Sequence, residues 1–146
     1  MSDTVHASVA RVGDKGVLIR GRSGSGKSSL LLALLSLEEA TLVADDRAHL
    51  STNNGRVVAT VPETIAGQME VRGVGIVRRP FVSSTLVDLV VDLLPLAECP
   101  RMPLGDEAHE RLLGIAVPRI YVAIGAHDGP ERVMAALTRS EADTFA

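Results

Sequence analysis

Eight residues constrain this chain more than any others: Gly21-Arg22-Ser23-Gly24-Ser25-Gly26-Lys27-Ser28 fits G-x-x-x-x-G-K-[ST] at every fixed position. An apolar stretch of strand type, Gly16-Val17-Leu18-Ile19-Arg20, precedes it. A strong helix former, Ser29-Leu30-Leu31-Leu32-Ala33-Leu34-Leu35, follows. Strand, glycine turn and helix together make a phosphate-binding loop, where the same residues without those flanks would read as a Gly/Ser-rich loop with an incidental lysine. Glycines let backbone N–H groups converge on an anion, and the helix N-terminus adds partial positive charge. The expected nucleotide-binding set is Gly21, Arg22, Ser23, Gly24, Ser25, Gly26, Lys27, Ser28 and Ser29. Lys27 reaches the β- and γ-phosphates, and the Ser28 hydroxyl holds Mg²⁺.

A chain of 146 residues suffices for one domain, expected to span residues 1–146, with a proper core. Hydrophobic residues make up 46% but aromatics only 2%, so the core must be built from Leu, Val, Ile and Ala. The formal net charge of −3 gives no sign of a nucleic-acid coat or a binder of anionic membranes. The scarcity of aromatics also argues against base-stacking platforms. Cys99 is the sole cysteine, which excludes an internal disulfide and a cysteine-based zinc site and suits a reduced cytoplasm. The polar Met1-Ser2-Asp3-Thr4 start lacks a signal-type apolar region, and the longest apolar run, 30–35, is too short to span a bilayer.

Apolar patterning predicts strands at 6–12, 16–20, 41–44, 49–51, 56–61, 86–93 and 119–124, and helices at 27–38 and 130–138. Asp128 or Gly129 would cap the second helix, with proline in its first turn. A further short helical turn is expected at 62–66, a loop at 95–103 and a frayed tail from Ser140. Gly13-Asp14 and Asn53-Asn54-Gly55 mark hairpins, so the sheet is mixed. The expected class is α/β, a P-loop-containing domain with a mixed β-sheet, β-hairpins and few helices.

Asp45 and Asp46 end the apolar run Thr41-Leu42-Val43-Ala44, beside whatever the loop binds. Near a cation and phosphates two adjacent carboxylates titrate apart, so one can serve the metal while the other takes a proton from an incoming hydroxyl. A solvated turn is the alternative. Met69-Glu70-Val71-Arg72-Gly73-Val74-Gly75-Ile76 is the second dense cluster. On a strand Glu70 and Arg72 share one face, so either a carboxylate holds metal while a guanidinium clamps phosphate, or the two form a surface ion pair. His49, His109 and His127 lack metal-type spacing, and Arg111 is expected on a charged helical face.

These pieces in order resemble the catalytic domain of HPr kinase/phosphorylase. The family places a histidine ahead of its loop, as in Val5-His6-Ala7-Ser8, and paired aspartates after its next strand, as in Leu42-Val43-Ala44-Asp45-Asp46. Its signature Glu-Val-Arg-Gly-x-Gly-Ile stands here as Glu70 to Ile76. The resemblance covers residues 6–91 well and loosens afterwards. It implies a serine kinase that uses ATP and Mg²⁺ on a phosphocarrier protein, HPr or a related carrier. Ser28 and Glu70 would take Mg²⁺, Asp45 would be the proton acceptor with its neighbour Asp46 in the catalytic set, and His6 would support the site. Lys27 and Arg72 complete it, with Arg101, in Cys99-Pro100-Arg101-Met102, as the later family arginine and Arg111 as its competitor. A cytoplasmic homo-oligomer is expected.

Two departures qualify the likeness. The family carries an additional N-terminal domain, so the chain resembles truncated, single-domain members. Its Arg-Pro-Gly-Arg-Asn segment, tied to dephosphorylation, corresponds to Ala123-Ile124-Gly125-Ala126-His127-Asp128, which offers no arginine. Kinase activity is therefore expected over phosphorylase activity. A small-molecule kinase or ATPase and a non-catalytic nucleotide sensor are the rival readings.

Overall fold

A computed structural model describes residues 2–139. The order is β1 (Ser2–His6), β2 (Ser8–Val12), β3 (Lys15–Arg20), α1 (Lys27–Leu35), β4 (Ala40–Ala44), β5 (Arg47–Asn53), β6 (Arg56–Thr60), β7 (Gln68–Val71), β8 (Gly75–Arg78), β9 (Ser84–Leu86), β10 (Leu89–Leu94), β11 (His109–Leu112), β12 (Ile115–Ala123) and α2 (Gly129–Thr138). A six-stranded mixed sheet runs β11-β12-β10-β3-β2-β4, with β3, β10 and β12 parallel. A four-stranded antiparallel sheet runs β1-β5-β6-β9, and β7 and β8 form a separate hairpin.

The larger sheet buries both faces, as strands of near-continuous apolar character must. Ala10, Val12, Val17, Ile19 and Val91 pack with Leu30, Leu31, Leu34 and Leu35 of α1 and Val133 of α2. On the opposite face Val9, Leu18, Val43, Ala44 and Val90 pack with Ala48, Leu50, Val57 and Ala59 of the smaller sheet. Helix α1 ends at Leu35, earlier than the expected 38. The Ser36 hydroxyl donates to the Ala33 carbonyl at 2.6 Å and so occupies an acceptor of the last turn.

The strand expected at 6–12 is two strands in different sheets. β2 pairs β4 in the larger sheet, while β1 pairs β5 in the smaller. The two-stranded ribbon folds from one sheet into the other at Ala7 and Asp46, whose N–H and carbonyl are hydrogen bonded at 3.0 Å. Asp46 makes the bend with φ +73°, a left-handed conformation that aspartate tolerates better than most residues. The stretch expected at 86–93 likewise divides between β9 and β10. There the Asp88 carboxylate accepts the Gly16 N–H at 2.8 Å, and Gly16 admits Leu86, whose carbonyl would lie 1.8 Å from a Cβ.

Other boundaries move less. β5 extends to both sides of 49–51, and β12 starts at Ile115 rather than 119. A single 3₁₀ turn, Glu63–Ile65, occupies the expected turn at 62–66. Both hairpin signals close hairpins, β2–β3 and β5–β6. Arg111 lies on β11, not on a helix: its strand pairs antiparallel with β12 from His109 to Leu112. The tail from Ser140 lies outside the described residues.

Beyond the inter-sheet core, on the same face of the larger sheet, sits a charge cluster. Arg20 donates to Asp92 at 2.8 and 2.9 Å and to Glu110 at 2.6 Å. Arg119 lies 3.4 Å from Glu110 and 3.7 Å from Asp92, with its guanidinium 5.0 Å from the centre of the Tyr121 ring. The cluster ties β3, which leads into the glycine loop, to β10, β11 and β12. Burial works to raise the Glu110 carboxyl, but its bond to Arg20, that residue's charge, the Arg111 N–H and Arg119 outweigh it and hold it below the ordinary 4.5. A lowered folded value means stabilisation that is complete above 4.5 and lost as pH falls below it. Glu110→Gln should cost about 1 kcal/mol or less at neutral pH. It should also flatten the decline of the urea midpoint below pH 4.5; an unchanged decline would assign the acid sensitivity to other groups.

Candidate active site

The glycine loop joins the end of β3 to the start of α1. Gly24 and Gly26 have φ of +81° and +102°, conformations a side chain would strain. Gly26 stands at the N-cap without a side-chain cap, so the first N–H groups of α1 remain available to an anion. Gly21 is required for a different reason: a Cβ there would meet the Ser25 Oγ at 2.3 Å. That hydroxyl is buried and has no partner among the described residues. Lys27 folds back over the loop, donating to the carbonyls of Gly21 at 2.9 Å and Arg22 at 3.2 Å, with only 7% of its surface exposed.

A cleft of about 680 Å³ opens above the loop. Residues 23–29 form its floor, with Leu32 and Ala33 from α1. Glu70, Val71 and Arg72 stand on one wall, Leu93 and residues 122–127 on another, and Asp46 also lines it. The charged side chains facing it are Lys27, Arg72, Asp46 and Glu70, with His127 as the one imidazole.

Asp45 lies below this cleft, 7% exposed, and is held by three donors. Its Oδ1 accepts the Ser28 hydroxyl at 2.7 Å and the Ser8 hydroxyl at 3.0 Å; its Oδ2 accepts the Glu70 N–H at 3.1 Å. A β-bulge accounts for its direction. Val9 is opposite Ala44 and Ala10 is opposite Leu42, so β4 carries one extra residue. Val43 and Ala44 therefore both contribute to the inter-sheet core, and Asp45 turns to the other face, toward Ser28.

Of the residues singled out from sequence, the structure brings Lys27, Ser28, Asp45, Asp46, Glu70 and Arg72 together. Glu70 lies on β7, one residue before its end at Val71, while Arg72 lies in the following turn, so they share the cleft wall without sharing a strand face. His6 is exposed at the end of β1, and Arg101 is exposed in the loop after β10; neither lines the cleft. Sequence reasoning gave no role to Ser8, which stands between Ala7 and Val9 at the start of β2, and read 123–128 only as a segment without arginine, not as a wall of the cleft. A hydroxyl interrupting an apolar run was the available signal for Ser8.

The residues present suit a metal-bound nucleoside triphosphate. The loop presents an orphaned buried hydroxyl, free helical N–H groups and a lysine bonded only to carbonyls. Among the described residues no group of three or more His, Cys, Asp or Glu side chains forms a metal cage. Mg²⁺ does not require one, because it takes one or two protein oxygens and completes its shell with phosphates and water.

Comparison with known proteins agrees with this arrangement. The family model described as HPr Serine kinase C-terminal domain matches residues 1–140. HPr kinase/phosphorylase of Bordetella pertussis is 34% identical over 134 residues, 84% of this chain and 43% of that protein. The protein of the same name from Mycoplasma mycoides is 28% identical over 83% of this chain and 42% of its own length. The chain thus spans about two fifths of the length of these relatives. The solved HPr(Ser) kinase/phosphatase of Coxiella burnetii superposes with a TM-score of 0.79 at 29% identity, covering 92% of this chain and 93% of that one. By its sequence and by its fold, this chain belongs to the HPr serine kinase C-terminal domain family.

Proposed function

We propose that this protein is an ATP- and Mg²⁺-dependent kinase that phosphorylates a serine of a phosphocarrier protein, HPr or a related carrier. The observation that carries the reading is the Ser28–Asp45 hydrogen bond: it joins the hydroxyl expected to face the cation to a buried carboxylate at the foot of the cleft. When bound, Mg·ATP supplies the transferable γ-phosphoryl group. Phosphoryl transfer asks the protein for position and electrostatics more than for covalent chemistry.

Placement in the cleft supports the following roles. The backbone N–H groups of the loop and Lys27 hold the phosphates, and Ser28 with Glu70 holds Mg²⁺. Asp45 accepts the proton of the incoming serine. Asp46, exposed on the cleft wall, is the second carboxylate of the pair. Arg72 stabilises charge on the transferring group. His6 and Arg101 lie outside the cleft of this chain and are assigned supporting roles, His6 through the sheet junction it flanks and Arg101 through its loop. The lone cysteine suits a cytoplasmic setting, and we extend the reading to a homo-oligomer as expected from the family.

The reaction is tested by incubating the protein with [γ-³²P]ATP, Mg²⁺ and HPr and mapping the label. Label on a carrier serine is expected; ATP hydrolysis without carrier labelling would point to an ATPase instead. Lys27→Ala should abolish productive ATP binding. Asp45→Asn should keep nucleotide bound but lower kcat by about 10²–10⁴-fold, the usual contribution of a general base. Asp46→Asn should do less, and the reverse order would exchange the two roles.

Glu70→Gln should raise the Mg²⁺ concentration required for half-maximal rate. Unchanged activity at limiting Mg²⁺ would leave Glu70 without a metal role.

Phosphorolysis should be slow, because attack by inorganic phosphate on phosphoserine brings two anions together and needs several cations. The cleft wall at 122–127 contributes only His127. Pyrophosphate release from serine-phosphorylated HPr and phosphate, without ATP, should lag the forward rate by about tenfold or more, a difference of about 1.4 kcal/mol in barrier. Equal rates would show that the arginines absent from this wall are dispensable.

A further inference from the structure

Among the described residues, Ser8 is the one buried polar side chain that hydrogen bonds to both members of the aspartate pair. It sits on β2, fully buried, on the face of the sheet turned toward α1. Its hydroxyl donates to Asp45 Oδ1 at 3.0 Å and accepts the Asp46 N–H at 3.1 Å. The preceding residue, Ala7, donates its N–H to the Asp46 carbonyl at 3.0 Å. Two consecutive residues, Ala7 at the junction and Ser8 at the start of β2, therefore grip Asp46 from both sides, at the left-handed bend where the ribbon passes between sheets.

We propose that Ser8 is a positioning residue: its hydroxyl fixes the Asp45 carboxylate against Ser28 and holds Asp46 in the conformation that turns its side chain to the cleft. The proposal deepens the kinase reading and rests on it for its catalytic consequence. Left-handed backbone in a residue other than glycine persists only when surrounding bonds over-determine it. At Asp46 those bonds come from Ala7 and Ser8, and only the Ser8 bond depends on a side chain. The same hydroxyl completes Asp45, whose Oδ1 must receive two donors at once to stand between β2 and α1. One oxygen thus couples the direction of a buried carboxylate to that of its exposed neighbour. The residues flanking Ser8, Ala7 and Val9, carry no side-chain donor that could replace it at Asp45 Oδ1.

The test uses Ser8→Ala, which removes the hydroxyl, and Ser8→Cys, which keeps its approximate volume but offers only a weak donor. The first readout is amide hydrogen exchange and needs no substrate. The Asp46 amide should exchange about tenfold faster or more in Ser8→Ala, while amides of the β2–β4 ladder remain within about threefold of wild type. The second readout is kinetic, with ATP and HPr. Both variants should lose about 10- to 100-fold in kcat, with KM for ATP changed by less than about threefold, because the loop itself is untouched.

Unchanged Asp46 exchange would overturn the proposal even if wild type proves unable to phosphorylate HPr, a result that would count against the kinase reading alone. A wild-type kcat in Ser8→Cys would show that filling the space suffices, and would overturn it as well. A general acceleration of exchange across β2 and β4, with kcat preserved in the folded fraction, would reduce Ser8 to core packing.

Discussion

The structure depends on a buried carboxylate that must be fully satisfied where it lies. Asp45 receives donors from β2, α1 and the end of β7, so one side chain fixes the relative positions of the larger sheet, the glycine loop and the hairpin carrying Glu70. An ionised carboxylate in such a place is costly without partners, and removing one donor leaves the charge undersatisfied. The same constraint that makes the site expensive to build also makes it stiff. The hydroxyl of Ser28, the backbone of Glu70 and the bend at Asp46 are all referred to one point.

That point exists because two sheets share a ribbon. β1–β5 and β2–β4 are continuous pairings that fold over at Ala7 and Asp46, and the β-bulge in β4 turns Asp45 from the inter-sheet core toward the loop. Without the extra residue the alternation of β4 would aim the carboxylate between the sheets, among valines and alanines. On that same face, the Arg20–Asp92–Glu110–Arg119 cluster anchors the strand that enters the loop. The cleft is thus held by two polar clusters on opposite faces of the larger sheet.

The loop, its strand and its helix were legible in sequence because their chemistry is local: glycines where φ is positive, an apolar run before, helix formers after. Both hairpin turns were legible for the same reason. The divisions of 6–12 and 86–93 were not, because strand-type residues run on through Ala7 and Val87 while the chain changes sheet; only tertiary pairing reveals the change. Arg111 looked helical because Glu110-Arg111-Leu112-Leu113 has no strong strand alternation, and its strand is defined by pairing with β12. The pairing of Asp45 with Ser28 was anticipated only as proximity. Its dependence on a bulge was hidden, since a register shift leaves no mark in a single sequence.

The central claim is that Lys27, Ser28 and the Asp45 cluster form one nucleotide-and-metal site. A crystal structure with Mg²⁺ and a non-hydrolysable ATP analogue tests it most directly. The account predicts that Lys27 Nζ leaves the carbonyls of Gly21 and Arg22 for phosphate oxygens, that Ser28 Oγ faces the metal, and that the Ser8–Asp45 bond survives. An analogue bound away from the loop, or bound there with Lys27 still folded on those carbonyls and no metal beside Ser28, would contradict it.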